Sequence, residues 1–247
     1  MKAISEVSRV KASIREMVWR TLERENVAAF PRPVYGRIPN FIGAREAAER
    51  LVESPSLRGA ETVKVNPDAP QQWVRRLLLQ MGKTIIMPTP RLREGFLLLD
   101  PRRIPPASLG DAATIKGAFA HGVKVGLEQI PSIDFIVEGS VAVSVRGGRL
   151  GKGEGYAEIE YGILREIGVV TESTPIATTV HDLQLVADIP MEPFDVPVDL
   201  IVTPTRCIET RSGYPRPNGI IWHLLDDRKL REIPQLSSLI ERSRGGR

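Results

Sequence analysis

From Ile133 to Ile167 the chain reads IDFIVEGSVAVSVRGGRLGKGEGYAEIEYGILREI, and its residue types prescribe a strand, a turn, a glycine-dense loop and a helix. Ile133–Val137 is a short apolar, β-prone run, which suits a buried strand. Tyr156–Ile167 places Tyr156, Ile159, Ile163, Leu164 and Ile167 on one face at helical spacing. Working outward, the same alternation continues. Val63–Val65, Thr84–Met87, Phe96–Leu99, Ile176–Val180 and Leu200–Val202 read as further strands. Helices fit Ser5 to about Glu25, with Val7, Val10, Ile14, Met17, Val18 and Leu22 as the apolar stripe, and Arg45–Val52. A third helix starts from Asp68 as N-cap, with Pro70 in its first turn, and runs to about Met81, where Gly82 stops it. Phe30–Asn40, FPRPVYGRIPN, is too rich in proline for regular structure. Strands alternating with helices imply a mostly parallel sheet in a three-layer α/β/α fold.

The texture changes at about Arg211. RSGYPRPNG is loop-like, and LLDDRKLREIPQLSSLIERSRGGR reads as one or two short helices with a basic end. The chain is therefore divided into an α/β domain of residues 1–210 and a C-terminal extension of residues 211–247. The closing Arg242–Arg247, RSRGGR, reads as a disordered solubilising tail in preference to an RNA contact.

The 247 residues are 42% hydrophobic and 26% charged, enough for a substantial core. No apolar run approaches the ~18 residues a bilayer span needs, and the charged N-terminus does not resemble a secretory signal. A cytoplasmic protein without membrane contact, and a monomer, is expected. The single cysteine, Cys207, excludes an internal disulfide framework and a multi-cysteine zinc site; a buried, inert thiol is expected. Formal net charge is +4 and mostly arginine, which favours anionic partners. Few Asn and Gln residues together with 20 prolines suggest a thermophile. His121, His181 and His223 have no metal-ligand spacing.

The chemistry concentrates in the glycine-dense loop, where Gly147, Gly148, Gly151, Gly153 and Gly155 fall within nine positions. Such a loop brings backbone N–H groups to the start of the following helix, where they attract anions. Arg149 and Lys152 add mobile positive charge, so the segment is a candidate phosphate cradle; a plain flexible turn is the other reading. Neither Gly-Lys-Ser/Thr nor G-x-G-x-x-G is present. In the first helix, with ~100° per residue, Lys11 lies inside the apolar stripe and Arg15 at its edge. A lysine so placed snorkels outward, pairs with a buried carboxylate, or meets a ligand phosphate.

Lys11 with Arg15, followed much later by Arg149, Gly151, Gly153, Gly155 and Tyr156, resembles the 5-formyltetrahydrofolate cyclo-ligase (methenyltetrahydrofolate synthetase) family. GKTIIMP at Gly82–Pro88, IDFIVEGSVAV, and Leu183–Pro204 with Gln184 and Asp195 are similar to other parts of its pattern, in the same order. RIPNF and GKGEGYAEIEY are closer to the branch of methenyltetrahydrofolate synthetase domain-containing proteins. The resemblance implies a fold of the sugar-phosphate isomerase and CoA-transferase type. It implies ATP- and magnesium-dependent conversion of 5-formyltetrahydrofolate to 5,10-methenyltetrahydrofolate through a phosphorylated formyl group. Lys11, Arg149 and Tyr156 are then the expected catalytic residues. Lys11, Arg15, Arg149, Gly151, Lys152, Gly153, Gly155 and Tyr156 would hold the nucleotide, and Glu158 and Asp195 the magnesium.

The pattern also departs from the family. Glu158 stands where an aspartate is common, and has the alternative of an exposed first-turn carboxylate. Asp195 has the alternative of a turn residue before Val196-Pro197. Lys64 stands where a folate-contacting glutamate is usual, a reversal expected to impair folate recognition or redirect it to an anionic ligand. Two other functions stay open: a repurposed relative that binds a nucleotide or phosphate without turnover, and, less favoured at 5% aromatic content, RNA binding.

Overall fold

The computed structural model describes residues 5–245. Among them the helices are α1 (Glu6–Arg24), α2 (Ala44–Val52), α3 (Pro55–Arg58), α4 (Gln72–Gln80), α5 (Leu109–Ala112), α6 (Ile115–His121), α7 (Tyr156–Glu166), α8 (Asp227–Glu232) and α9 (Pro234–Gly245). The strands are β1 (Thr62–Val65), β2 (Thr84–Pro88), β3 (Phe96–Leu99), β4 (Val123–Val125), β5 (Phe135–Glu138), β6 (Ala142–Ser144), β7 (Arg149–Leu150), β8 (Ile176–Thr179), β9 (Leu185–Val186), β10 (Leu200–Val202) and β11 (Cys207–Glu209). Eight strands form the central sheet in the order β11-β10-β8-β5-β1-β2-β3-β4. The pairs from β10 to β2 are parallel, and the outer pairings of β11, β3 and β4 are antiparallel.

Period-two alternation builds the layers. Val63, Val65, Ile85, Met87, Phe135 and Val137 face Ala48 and Leu51 of α2 and Val74 and Leu78 of α4. On the other face Ile86, Ile136, Ile176 and Ile201 meet Ile159, Ile163 and Leu164 of α7 and Leu236 and Leu239 of α9. A slip of one residue would turn both sets inside out, so the pattern fixes the register. Helices on both faces of a mostly parallel sheet agree with the sequence reading. The helix after Asp68 opens as a 3-10 turn, and the Asp68 side chain makes no capping hydrogen bond. Gly82 takes φ +80° directly after α4, as a helix-stopping glycine should.

Three expectations change. The buried stripe of α1 is Lys11, Val18, Trp19 and Leu22, while Val10 and Met17 are exposed. The helix is thus rotated toward Trp19, whose Nε1 donates to the Arg37 carbonyl at 2.9 Å. The extension packs Ile233 and Leu236, both fully buried, into the main core. Arg242 lies in α9 and pairs with Glu128 at 2.8 Å, so the basic end is helical through Gly245; residues 246–247 lie outside the described residues. Cys207 is exposed on the edge strand β11. No helix among the described residues is long and apolar enough to cross a membrane.

Candidate functional site

A second, three-stranded sheet, β7-β6-β9, carries the glycine loop. Gly147 and Gly148 belong to the turn of the β6–β7 hairpin, with Gly147 at φ +91°. They are separate from Gly151, Gly153 and Gly155, which form the loop leading to α7. Val18 and Leu22 of α1 pack against Val141, Ala142 and Leu150 of this small sheet. That apolar contact brings the polar end of α1 to the loop directly after β7. Arg15 Nε donates to the Gly151 carbonyl at 2.7 Å. Gly153 has φ +95°, and a Cβ there would lie 3.1 Å from the Arg15 guanidinium carbon. The two regions that the sequence separates by more than a hundred residues therefore meet.

Arg149 is not mobile. Its guanidinium is buried, donates through Nη1 to the Gly139 carbonyl at 2.8 Å, and pairs through Nη2 with Glu158. Burial alone would lower its pKa, but Glu158 and neighbouring carboxylates hold it above the ordinary value. Lys11 resolves its place in the apolar stripe by pairing with Asp195, and with Glu192 at 2.8 Å, beneath the Phe194 ring. Burial pushes the Asp195 carboxyl up, opposed by Lys11. Burial lowers the Arg15 pKa against the pull of Glu158 and Asp195. Lys152 pairs with Glu154 at 2.8 Å. Tyr156 donates its hydroxyl to Glu232 at 3.1 Å, and Lys229 Nζ sits 3.0 Å from the centre of its ring. The extension is thus clasped to the loop.

A cleft of about 640 Å³ opens along the loop, lined among others by Arg37, Asp68, Arg91, Arg93, Arg149, Lys152, Gly153, Gly155, Tyr156, Glu158 and Glu160. Lys11, Arg15 and Asp195 are not in its wall; Arg15 braces the loop from behind through the Gly151 carbonyl. A smaller cavity of about 230 Å³ shares Gly153, Gly155 and Glu158 with the cleft and is walled by Phe194, Ile220, Ile221 and Leu225. The wall carries the cations Arg37, Arg91, Arg93 and Lys152 with the loop amides and the start of α7, and also the carboxylates Asp68 and Glu160, with Lys152 acting on Asp68.

The sequence reading does not contain this acidic cluster. Lys64 of β1, fully buried, pairs with Glu138 at 2.7 Å and Glu160 at 2.8 Å, and donates to Asn66 Oδ1 at 2.8 Å. Its reversed charge therefore meets two carboxylates of this chain, which corrects the expectation that it steers the site toward an anionic ligand. Burial pushes the Glu160 carboxyl up to about 7, against Lys64 and with help from Glu138. Burial likewise raises the Asp68 carboxyl. A signal for Glu160 existed: with Tyr156 at zero and ~100° per residue, it lies near 40°, inside the apolar stripe of α7.

Among the described residues no group of three or more His, Cys, Asp or Glu side chains is placed to hold a metal. Glu158 and Asp195 each already hold a cation of this chain. His121 pairs with Asp111 at 3.1 Å, and His181 Nδ1 accepts from the Leu183 backbone N–H at 3.1 Å. Both are local structural contacts.

The sequence pattern of the 5-formyltetrahydrofolate cyclo-ligase family matches residues 7–204. The methenyltetrahydrofolate synthase domain-containing protein of Mus musculus is 46% identical over 242 residues, which are 95% of this chain and 64% of that protein. The Homo sapiens protein of the same name is 44% identical over 93% of this chain and 61% of its own length. The chain thus spans under two thirds of these relatives. Such mammalian relatives argue against the thermophile reading; several prolines simply start helices, at Pro55, Pro70 and Pro234. The NMR structure of Aquifex aeolicus 5,10-methenyltetrahydrofolate synthetase shares the fold, with a TM-score of 0.53 at 20% identity over 83% of this chain and 95% of that one. By the extent of the pattern match and of these relatives, the chain belongs to the 5-formyltetrahydrofolate cyclo-ligase family.

Proposed function

We propose that this chain converts 5-formyltetrahydrofolate to 5,10-methenyltetrahydrofolate with ATP as phosphoryl donor. One observation carries the reading: the glycine loop, held from behind by Arg15 on the Gly151 carbonyl at 2.7 Å, lines a cleft whose wall carries both cations and carboxylates. The cations suit phosphates. Loop amides and the start of α7 accept the transferring group, Lys152, Arg91 and Arg93 neutralise its oxygens, and Arg149 holds the loop's base. Transfer of the γ-phosphoryl group to the formyl oxygen releases ADP and makes that oxygen a good leaving group. The neighbouring amine attacks the activated carbon, and phosphate departs. Little covalent work falls to the protein, so positioning and charge neutralisation dominate.

Glu158, in the cleft wall, is the residue that would hold magnesium, in exchange for its present partner Arg149; Asp195 stays behind the loop on Lys11. The ion's chemistry is neutralisation of phosphate charge, for which one or two protein carboxylates suffice. Arg15, behind the loop, keeps it in place against the phosphates. The test is the appearance of methenyltetrahydrofolate absorbance on mixing the chain with 5-formyltetrahydrofolate, ATP and magnesium, and its loss in Arg149→Ala. No turnover by the wild type overturns the proposal. A second reading, a nucleotide-binding relative without turnover, is favoured by the pairing of both Arg149 terminal nitrogens with Gly139 and Glu158. It expects thermal stabilisation by ATP and none by the folate.

A further inference from the structure

Lys64 has three ammonium protons, and the fold uses all of them, on Glu138 Oε1, Glu160 Oε2 and Asn66 Oδ1. It has nothing left to offer a ligand. Asn66 Nδ2 also approaches Glu160 at Oε2, 3.5 Å away. Both contacts fall on one oxygen, and Glu160 is part of the cleft wall, so Oε1 is the oxygen it presents to the cleft. Glu138 has the same relation to Lys64 but lies outside that wall. Asp68 is in the wall, caps no helix, and acts electrostatically on Glu160. This part of the cleft wall therefore offers two carboxylates, acceptors only when ionised. A planar heterocycle with adjacent ring N–H and exocyclic NH₂ groups would satisfy them, as an aminopyrimidinone ring does.

We propose that Glu160 and Asp68 are the specificity-determining residues that read the donor edge of the substrate's ring, and that Lys64 is a positioning residue that fixes Glu160. This rests on reading the cleft as a folate site and adds which residues select the ring. Lys64 lies on a central strand and Glu160 on the helix that begins at the glycine loop, so the ion pair also sets how far the ring stands from that loop.

The experiment is titration of the full chain with 5-formyltetrahydrofolate and, separately, with ATP, for wild type, Glu160→Gln, Glu138→Gln and Asp68→Asn. Glu160→Gln should weaken the folate at least about tenfold, the size of leaving a reading hydrogen bond unmade, and leave ATP within about threefold. Glu138→Gln, which removes the other partner of Lys64, should leave both ligands within about threefold. In turnover, Glu160→Gln should raise KM for the folate with kcat nearly unchanged. Equal loss of folate affinity in Glu160→Gln and Glu138→Gln, or no loss in Glu160→Gln, overturns the inference while the folate reading stands. Failure of the wild type to bind folate overturns both. Should Glu160→Gln not fold, Asp68→Asn tests the same edge without touching Lys64, and unchanged folate affinity there overturns the proposal.

Discussion

Replacing Lys64 by Met keeps most of the side-chain volume and removes the charge from the centre of the buried triad. At 2.7 and 2.8 Å from Glu138 and Glu160, each pair contributes a gross attraction of about 6 kcal/mol at an effective dielectric of ~20. Burying the ammonium costs several kcal/mol, which the substitution returns. What remains is the penalty of two carboxylates left without their cation, about 3–5 kcal/mol. In a chain of this size that lowers Tm by roughly 6–20 °C. The loss also depends on pH. The folded-state pKa of Glu160 already stands above its unfolded value, at about 7, and removing Lys64 raises it further. A raised group favours the folded state fully below its unfolded pKa and loses that contribution as pH rises through the folded value. The deficit of Lys64→Met should therefore be larger at pH 8 than at pH 5, measured by urea unfolding at both. Lys64→Met/Glu138→Gln/Glu160→Gln, with no charge left to bury, should recover most of the loss. A deficit below about 1 kcal/mol at pH 8, or a triple variant no more stable than the single one, refutes the reasoning.

Other consequences are simpler to check. Gly153→Ala strains a backbone at φ +95° and pushes the Arg15 guanidinium from its 2.7 Å bond to Gly151; ATP affinity by calorimetry should fall about tenfold, a strain cost of 1–3 kcal/mol. In the wild type, the same sign argument makes the Glu160 contribution to stability fade as pH rises from about 4.5 toward about 7; Glu160→Gln should flatten that part of a stability–pH profile, and an unchanged slope would count against it. Leu236→Ala, fully buried where the extension meets the sheet, should cost about 2–5 kcal/mol in urea unfolding. A loss near zero would mean that the extension folds independently of the domain. Tyr156→Phe removes the 3.1 Å bond to Glu232 and should cost about 1 kcal/mol, with turnover retained if the hydroxyl only clasps the extension.

Why some of this was readable from the sequence and some was not comes down to where the information is local. The central strands carry alternation and the long helices carry periodicity, so β1, β2, β3, β5, β8, β10, α1, α2, α4 and α7 were expected near their observed positions. The two-residue strands β7 and β9 and the edge strands β4 and β11 have no period to detect; they exist because a neighbour offers a ladder. The rotation of α1 was missed because Val7, Val10 and Met17 satisfy a helical stripe as well as Trp19 does, and only the packing against β6 and β7 chooses between them. The charges tell more. Lys11 was noticed because it interrupts an apolar face. By the same rule Lys64, between two valines of a central strand, and Glu160, inside the stripe of α7, are misplaced charges of opposite sign. Burial of either alone would cost several kcal/mol, so each required a partner, and the fold brings them to 2.8 Å. A charge out of phase with its own element is thus a statement about tertiary structure. Where two such charges of opposite sign occur on a strand and a helix that must pack face to face, pairing is the cheapest solution. What no local pattern could say is which of the paired atoms would be left facing the cleft, because that depends on the crossing of α7 over β1. This is why the glycine loop with Arg149 and Lys152, contiguous in sequence, is legible there, whereas the cluster built from β1, the turn at Asp68 and the second turn of α7 is not.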